Sequence, residues 1–344
     1  MWPLIDRPII EHVLDVLRRW GIGQMAISAN GRTHTFERHL GYHPTPDVTV
    51  YYSEDAMPRG TAGCLKDCQE WLGNEPFIVV HGASLILDVD LHQLLQHHRS
   101  SGAVMTIAAT AQSSESYPQS MLLKPAGLYV CEPQVLAHIR SRGYQDIKEQ
   151  LIPRLTSLGL KVQAAPIAGR VISIRNEESY INAMVDVMND PARRRGFVQH
   201  LPESFPGHWI DPTAQVHPTA RLVGPVYVGP GAVIEHDAVV VGPAIIGSDC
   251  RIGEDAVVHE SILWASASVG AAAHVEQAVL AQTAAVARGI EVRGSIVLDS
   301  TLSAAERQSL GGSRDLTATE INGIGGGFWR QLWRSVRPWA TARI

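Results

Sequence analysis

Between Ile210 and Val258 every sixth residue is aliphatic: Ile210, Val216, Leu222, Val228, Ile234, Val240, Ile246, Ile252 and Val258. Small or turn-forming residues fill the gaps, as in Asp211-Pro-Thr-Ala214, Gly229-Pro-Gly-Ala232 and Gly253-Glu-Asp-Ala256. A period of six suits neither a helix at 3.6 residues nor a lone strand at 2. It suits a chain that turns a corner every six residues and stacks coil on coil, each sixth aliphatic facing one continuous interior. With steps of five in two places, the series continues through Trp264, Val269, Val275, Leu280, Val286, Val292 and Leu298. Three such strands close one coil, so residues 209–302 are expected to form a hexapeptide-repeat β-helix of roughly five coils.

The chain has 344 residues, enough for two domains with cores of their own. A net charge of −5 gives no reason to expect nucleic acid as a partner. No apolar run approaches the ~18 residues of a membrane span, and no secretion signal opens the chain. Cys64, Cys68, Cys131 and Cys250 are scattered without a zinc-ligand spacing and read as reduced core thiols, so the expected location is cytoplasmic.

Residues 1–190 alternate helices with buried strands. A helix is expected over Pro8–Trp20, with Ile9, Ile10, Val13, Leu14 and Leu17 on one face and Gly21 as its stop. Strands are expected at Gln24–Ala29, Val48–Tyr52, Pro76–Val80, Val104–Ala109 and Gly127–Cys131, with helices at Ala62–Leu72, Leu91–His98 and Gln134–Arg140. This alternation predicts an α/β domain with a mostly parallel sheet. In such domains the first strand and its Gly-rich turn cradle phosphates, whereas this chain opens on a helix.

Several segments, in order, resemble the sugar-nucleotide pyrophosphorylases: Trp2-Pro-Leu-Ile-Asp-Arg-Pro-Ile-Ile-Glu-His12, Arg59-Gly-Thr-Ala-Gly-Cys-Leu65, Phe77-Ile-Val-Val-His-Gly-Ala83, Ala126-Gly-Leu-Tyr-Val-Cys-Glu-Pro133, Asp146–Leu155 and Val171–Tyr180. The resemblance implies a nucleotidyltransferase-like (Rossmann-like) mixed-sheet domain followed by a left-handed parallel β-helix. It also implies a nucleotide-binding loop at Gly60, Thr61, Ala62 and Gly63, with Arg59 beside it for a phosphate. Lys124 and Gly127 stand nearest the family's sugar-phosphate site.

The departures bear on activity. Attack of a sugar phosphate on a nucleoside triphosphate needs Mg²⁺ held by carboxylates, a backbone cradle and cations for the developing charge. The resemblance places the Gly-rich cradle and its Lys upstream of Met1, one metal Asp at Ala83 and the other at Ser173. Alanine and serine cannot replace two charged oxygen ligands. The domain is therefore expected to be catalytically silent, with no cofactor of its own and Mg²⁺ only if it is active. Asp88 and Asp90 are the nearest acids, and a helix N-cap accounts for such a position equally well. The Gly60–Gly63 loop can hold a base or ribose, or simply make a tight turn into a helix.

Residues 191–208, with Arg193, Arg194 and Arg195, read as an exposed linker. In the β-helix, His217, His236, His259 and His274 raise the alternative of a hexapeptide acyltransferase, but Glu260 beside His259 is expected to point to the opposite face. Stacked coils also offer assembly surfaces, so a homo-oligomer, or a subunit partnering an active paralogue, is a further expectation. In the tail, 303–344, a segment at 328–337 puts Phe328, Trp329 and Trp333 on one helical stripe and three Arg on another. It is expected either to cap the β-helix or to lie on a membrane surface.

Overall fold

Ile9, Ile10, Val13, Leu14 and Leu17 are all buried on one side of α1 (Ile9–Arg19), and Gly21, at φ 80°, ends the turn that follows it. In this computed structural model the described residues are 1–29, 33–54, 58–82, 84–113, 121–198, 201, 203–298 and 339–343. The chain divides into two units, Ile9–Ser173 with Gln331–Ile344, and Met1–Pro8 with Ile174–Arg330.

In the first unit α1 is followed by β1 (Gln24–Ser28), α2 (Thr33–Leu40), β2 (Thr49–Ser53) and α3 (Gly60–Asp67). Next come β3 (Phe77–His81), β4 (Ser84–Leu87), α4 (Leu91–Ser101), β5 (Met105–Ser113) and β6 (Met121–Cys131). The series continues with α5 (Ile152–Ser157), β7 (Val162–Pro166) and β8 (Arg170–Ser173). The segment after β6 is a 3₁₀-helix, Pro133–His138, in place of the expected α-helix.

A seven-stranded sheet runs β2-β1-β9-β3-β6-β5-β7, where β9 is Trp339–Arg343. β9 and β6 oppose the other five strands, which makes the sheet mixed. β9 lies between β1 and β3 and is antiparallel to both, with Trp339 opposite Ser28 on one side and His81 on the other. The sheet's centre is therefore closed by a strand from residues 339–343, within the stretch 303–344 expected to be a tail. The amphipathic segment at 328–337, with Phe328, Trp329 and Trp333, lies outside the described residues.

On one face Leu14, Leu17, Ile27, Ile78, Val80 and Leu128 share a core, and on the other Phe77, Val79, Met105, Tyr129 and Leu151 share a second. Residues alternate between these faces along each strand, as a sheet covered on both sides requires. Asp90 caps α4 by accepting from the Gln93 amide at 3.2 Å, which accounts for that acid structurally. All four cysteines are buried.

His98, on α4, is buried between two partners: Nδ1 lies 2.7 Å from the Thr106 hydroxyl and Nε2 3.2 Å from Glu132 Oε1. The carboxylate can only accept, so Nε2 carries the proton and Nδ1 accepts from Thr106. Burial, outweighing the pull of Glu132, holds the imidazole below its ordinary 6.5. The unfolded chain therefore takes up a proton first as pH falls, and stability declines from about pH 6.5 down to the folded-state value. A thermal melt scanned from pH 7.5 to 5 should show this slope, and His98→Gln should flatten it. An unchanged slope in that variant would assign the acid sensitivity elsewhere.

In the second unit, helix α6 (Glu177–Asn189) starts with a capping box between Asn176 and Ser179. The stretch read as a linker begins as a helix, Pro191–Phe197, because Asp190 accepts from the amides of Ala192 and Arg193. Arg193 pairs with Asp190, and the Arg194 guanidinium stacks 4.3 Å from the Trp209 ring centre. At these two positions a helix cap and local contacts replace free basic side chains.

The repeat forms a parallel β-helix with three sheets. One column reads Ile210, Val228, Ile246, Leu263, Leu280 and Val297. The others read Val216, Ile234, Ile252, Val269 and Val286, and Leu222, Val240, Val258, Val275 and Val292. Leu263, rather than Trp264, and Val297, rather than Leu298, hold the inward positions. The corner between the third and first sheets explains the slip. It spans six residues where Gly224-Pro225 and Gly242-Pro243 fill it, and five where Glu260, Gln277 and Gly294 turn it at φ 45°, 47° and 52°. Trp264 is displaced toward Trp2 and Tyr180, with ring centres 5.8 Å and 6.5 Å away, and its indole donates to the Tyr180 hydroxyl at 3.2 Å.

Candidate functional site

Ser84 opens β4 and Ser173 closes β8, and the antiparallel pairing of these strands sets the two serines opposite each other. Their hydroxyl oxygens lie 3.5 Å apart, and Ser84 is fully buried. Opposite them β6 bulges, its register with β5 shifting between Ile107 and Ala109. The bulge carries Gly127 at φ 80°, and a Cβ there would lie 3.2 Å from His81 Cβ and within 4 Å of both serine hydroxyls (3.8 and 3.9 Å). His81, Ser84, Gly127 and Ser173 thus converge where β3 ends. Glycine is required both for its backbone angle and for the space. Ala83 lies outside the described residues.

The resemblance calls for metal-binding carboxylates at Ala83 and Ser173, so this cluster contains one of those positions and its Ser84 is the chain neighbour of the other. The donors present are two neutral hydroxyls, which cannot offset the cost of stripping water from Mg²⁺. Among the described residues no group of three or more His, Cys, Asp or Glu side chains is placed to hold a metal. The residues present do not fit the ion.

The Gly-Thr-Ala-Gly segment begins α3, and the Ala62 and Gly63 amides and the Thr61 hydroxyl bond within the unit. The Gln145 carbonyl accepts from the amides of Ala62 and Gly63 at 3.0 and 3.3 Å, and Gln145 N–H donates to the Arg59 carbonyl at 2.7 Å. Thr61 donates to Asp146 at 2.8 Å and accepts from the Ile147 amide at 2.6 Å. Gly60 sits at φ 73°, and a Cβ would fall 2.4 Å from the Gln145 carbonyl oxygen. Arg59 pairs with Asp67 at 2.6 Å and donates to the Arg140 carbonyl at 3.2 Å. Of the two readings of this loop, these contacts support the structural one, while Arg59 Nε stays buried without a hydrogen-bond partner among the described residues. Lys124 is exposed on β6, opposite Thr110, three residues before the buried Gly127.

On the β-helix, His259 Nδ1 lies 3.6 Å from Glu276, its neighbour one coil on, and Nε2 lies 4.0 Å from Glu260. Glu260 reaches His259 because it sits on the shortened corner rather than on the straight strand, which corrects the opposite-face expectation. His217 and His236 meet edge to face with ring centres 5.8 Å apart on the exposed surface. Sequence spacing had not identified the His81, Ser84, Gly127 and Ser173 cluster as a unit, although Ser173 and Gly127 were both singled out.

Residues 1–117 match the family model described as nucleotidyl transferase, and residues 205–308 the model described as the GMPPB C-terminal domain. A UTP--glucose-1-phosphate uridylyltransferase of Synechocystis sp. is 27% identical over 286 residues, covering 68% of this chain and 74% of the relative. A mannose-1-phosphate guanylyltransferase of Mycobacterium tuberculosis is 23% identical over 257 residues, covering 68% and 70%. A mannose-1-phosphate guanylyltransferase catalytic subunit beta of Drosophila pseudoobscura pseudoobscura is 24% identical over 246 residues, covering 64% of each. With a segment like the nucleotidyl transferase model followed by one like the GMPPB C-terminal domain, and relatives of this kind along the chain, the protein is similar in both parts to the sugar-nucleotide pyrophosphorylases.

Proposed function

We propose that this chain is a catalytically silent member of its family, a regulatory or assembly subunit that binds a nucleotide or nucleotide sugar without making one. The observation that carries the reading is Ser173, at one of the two positions where the resemblance calls for a carboxylate, which offers a neutral hydroxyl 3.5 Å from that of Ser84. The direction of β9 supports it. Strand ends such as those of β1 and β3 are where α/β sheets place phosphate-binding turns, and β9 brings its first residue, Trp339, to that edge. A reversed strand there supplies no helix N-terminus for a triphosphate.

The word "subunit" in the fly relative's name implies that catalytic chains of this family work beside others. A silent chain with the same architecture suits the other place in such an assembly. Its β-helix presents flat, stackable faces of the kind that closed symmetric assemblies use.

Incubation of the purified chain with Mg²⁺ and either GTP plus mannose 1-phosphate or UTP plus glucose 1-phosphate should release no pyrophosphate. Turnover in the usual enzymatic range of about 1–10³ s⁻¹ would overturn the proposal. Ala83→Asp and Ser173→Asp together should not restore turnover, since charge alone does not rebuild the triphosphate site.

A further inference from the structure

A cavity of about 420 Å³ opens in the first unit between the 3₁₀-helix Pro133–His138 and α5; it adjoins the Gly60–Gly63 segment through Gln145 and does not include the Ser84–Ser173 pair. Its wall carries Arg140, Arg154, His138, Gln150 and Tyr144, and no carboxylate lines it. Both arginines are exposed, and neither guanidinium is paired with an acid among the described residues. Two arginines of the same unit, Arg18 and Arg59, are by contrast paired with Asp47 and Asp67. Two unneutralised cations facing one hollow repel each other unless an anion joins them.

The donors are complementary to such an anion. Gln150 uses Oε1 to accept from the Asp146 amide at 2.6 Å, which leaves its NH₂ as a donor. The wall is also preformed. Gln145, only 7% exposed, clamps the Arg140 backbone by accepting from its N–H and donating to its carbonyl, both at 3.0 Å. A wall fixed before binding loses little freedom on binding. Tyr144 stands 61% exposed on the rim, an aromatic face without a covering side chain and suited to stack a planar ring. The size lies within the ~300–1,000 Å³ usual for small-molecule sites.

We propose that this cavity is an accessory binding site for a nucleoside diphosphate, with Arg140 and Arg154 gripping the phosphates and Tyr144 stacking the base. The site is independent of whether the chain is catalytically silent, so a positive pyrophosphate-release assay would leave it untouched.

The test is calorimetry on the full chain with GDP and, separately, inorganic pyrophosphate, at low salt and without divalent metal. Both probes should bind, and binding should weaken as salt rises. Arg140→Ala with Arg154→Ala should weaken both by more than about tenfold, because each exposed fork contributes a charge-assisted contact. Tyr144→Ala should weaken GDP several-fold and leave pyrophosphate unchanged. The melting temperature of these surface variants should match the parent's, which keeps a folding defect out of the result. No binding of either probe, or GDP binding unaffected by the double arginine substitution, would overturn the proposal, the latter pointing to the Gly60–Gly63 segment.

Discussion

Ile246→Asp should destabilise the β-helix by at least about 4 kcal/mol, a large share of the ~5–15 kcal/mol by which a folded domain exceeds its unfolded chain. Ile246 is fully buried in the middle of its column, between Val228 and Leu263. Fully buried Ala244 and Cys250 share the same core. An ionised carboxylate there has neither a partner nor water, and its desolvation outweighs any local rearrangement. The Asp would escape the cost by staying protonated, so its carboxyl should titrate far above the usual range and the loss should shrink as pH falls. Ile246→Val, which removes one methyl group, should cost only about 0.5–1.5 kcal/mol. Ser248→Asp, at a half-buried corner two residues on, should stay close to the parent. Chemical denaturation of the four proteins at neutral pH, followed by far-ultraviolet dichroism, makes the comparison. Equal losses in Ile246→Asp and Ser248→Asp would show the columns to be misassigned.

Deletion of residues 339–343 should have a comparably large effect on the other unit. β9 sits between two strands whose neighbouring residues Met25, Ile27, Ile78, Val79 and Val80 are fully buried. Without it, backbone N–H and C=O groups along β1 and β3 lose their partners in the centre of a covered sheet. Each such group left unsatisfied costs about 1–3 kcal/mol, so the unit should either open or admit water along a central seam. The exposed edges would also recruit other strands, and the deletion variant should aggregate more readily. Hydrogen exchange at the amides of Ile27 and Val79 reads the change directly. In the intact chain their protection should approach that of the global unfolding event, and in the deletion variant it should fall by orders of magnitude. Protection and melting temperature that survive the deletion would place Trp339–Arg343 outside the sheet.

The two predictions also mark what could be read from residues alone. The β-helix was legible because its period is local: a six-residue step places each aliphatic inward whatever the rest of the chain does. Even the slips were visible as five-residue steps, although only the corner geometry identified Leu263 rather than Trp264 as the inward residue. Glu260, Gln277 and Gly294 adopt positive φ there, and no periodicity encodes that. In the same way, the stripe Ile9, Ile10, Val13, Leu14 and Leu17 defined α1, and Asp90 could be read as a cap.

The candidate site was legible only in part. Loss of charge at Ser173 could be read from a motif, but its meeting with Ser84 depends on an antiparallel pair, β4 with β8, separated by 80 or more residues of chain. The internal use of Gly60–Gly63 likewise depends on Gln145 and Asp146, which come close only when the sheet and α3 have formed. β9 was the least legible element. Its residues carry no alternating pattern, and the slot between β1 and β3 exists only in the assembled sheet. Local periodicity thus determined the helices, the strands and the coil of the repeat. The pairing of distant segments, which satisfies backbone hydrogen bonds that no nearby residue can reach, was decided by the tertiary structure alone.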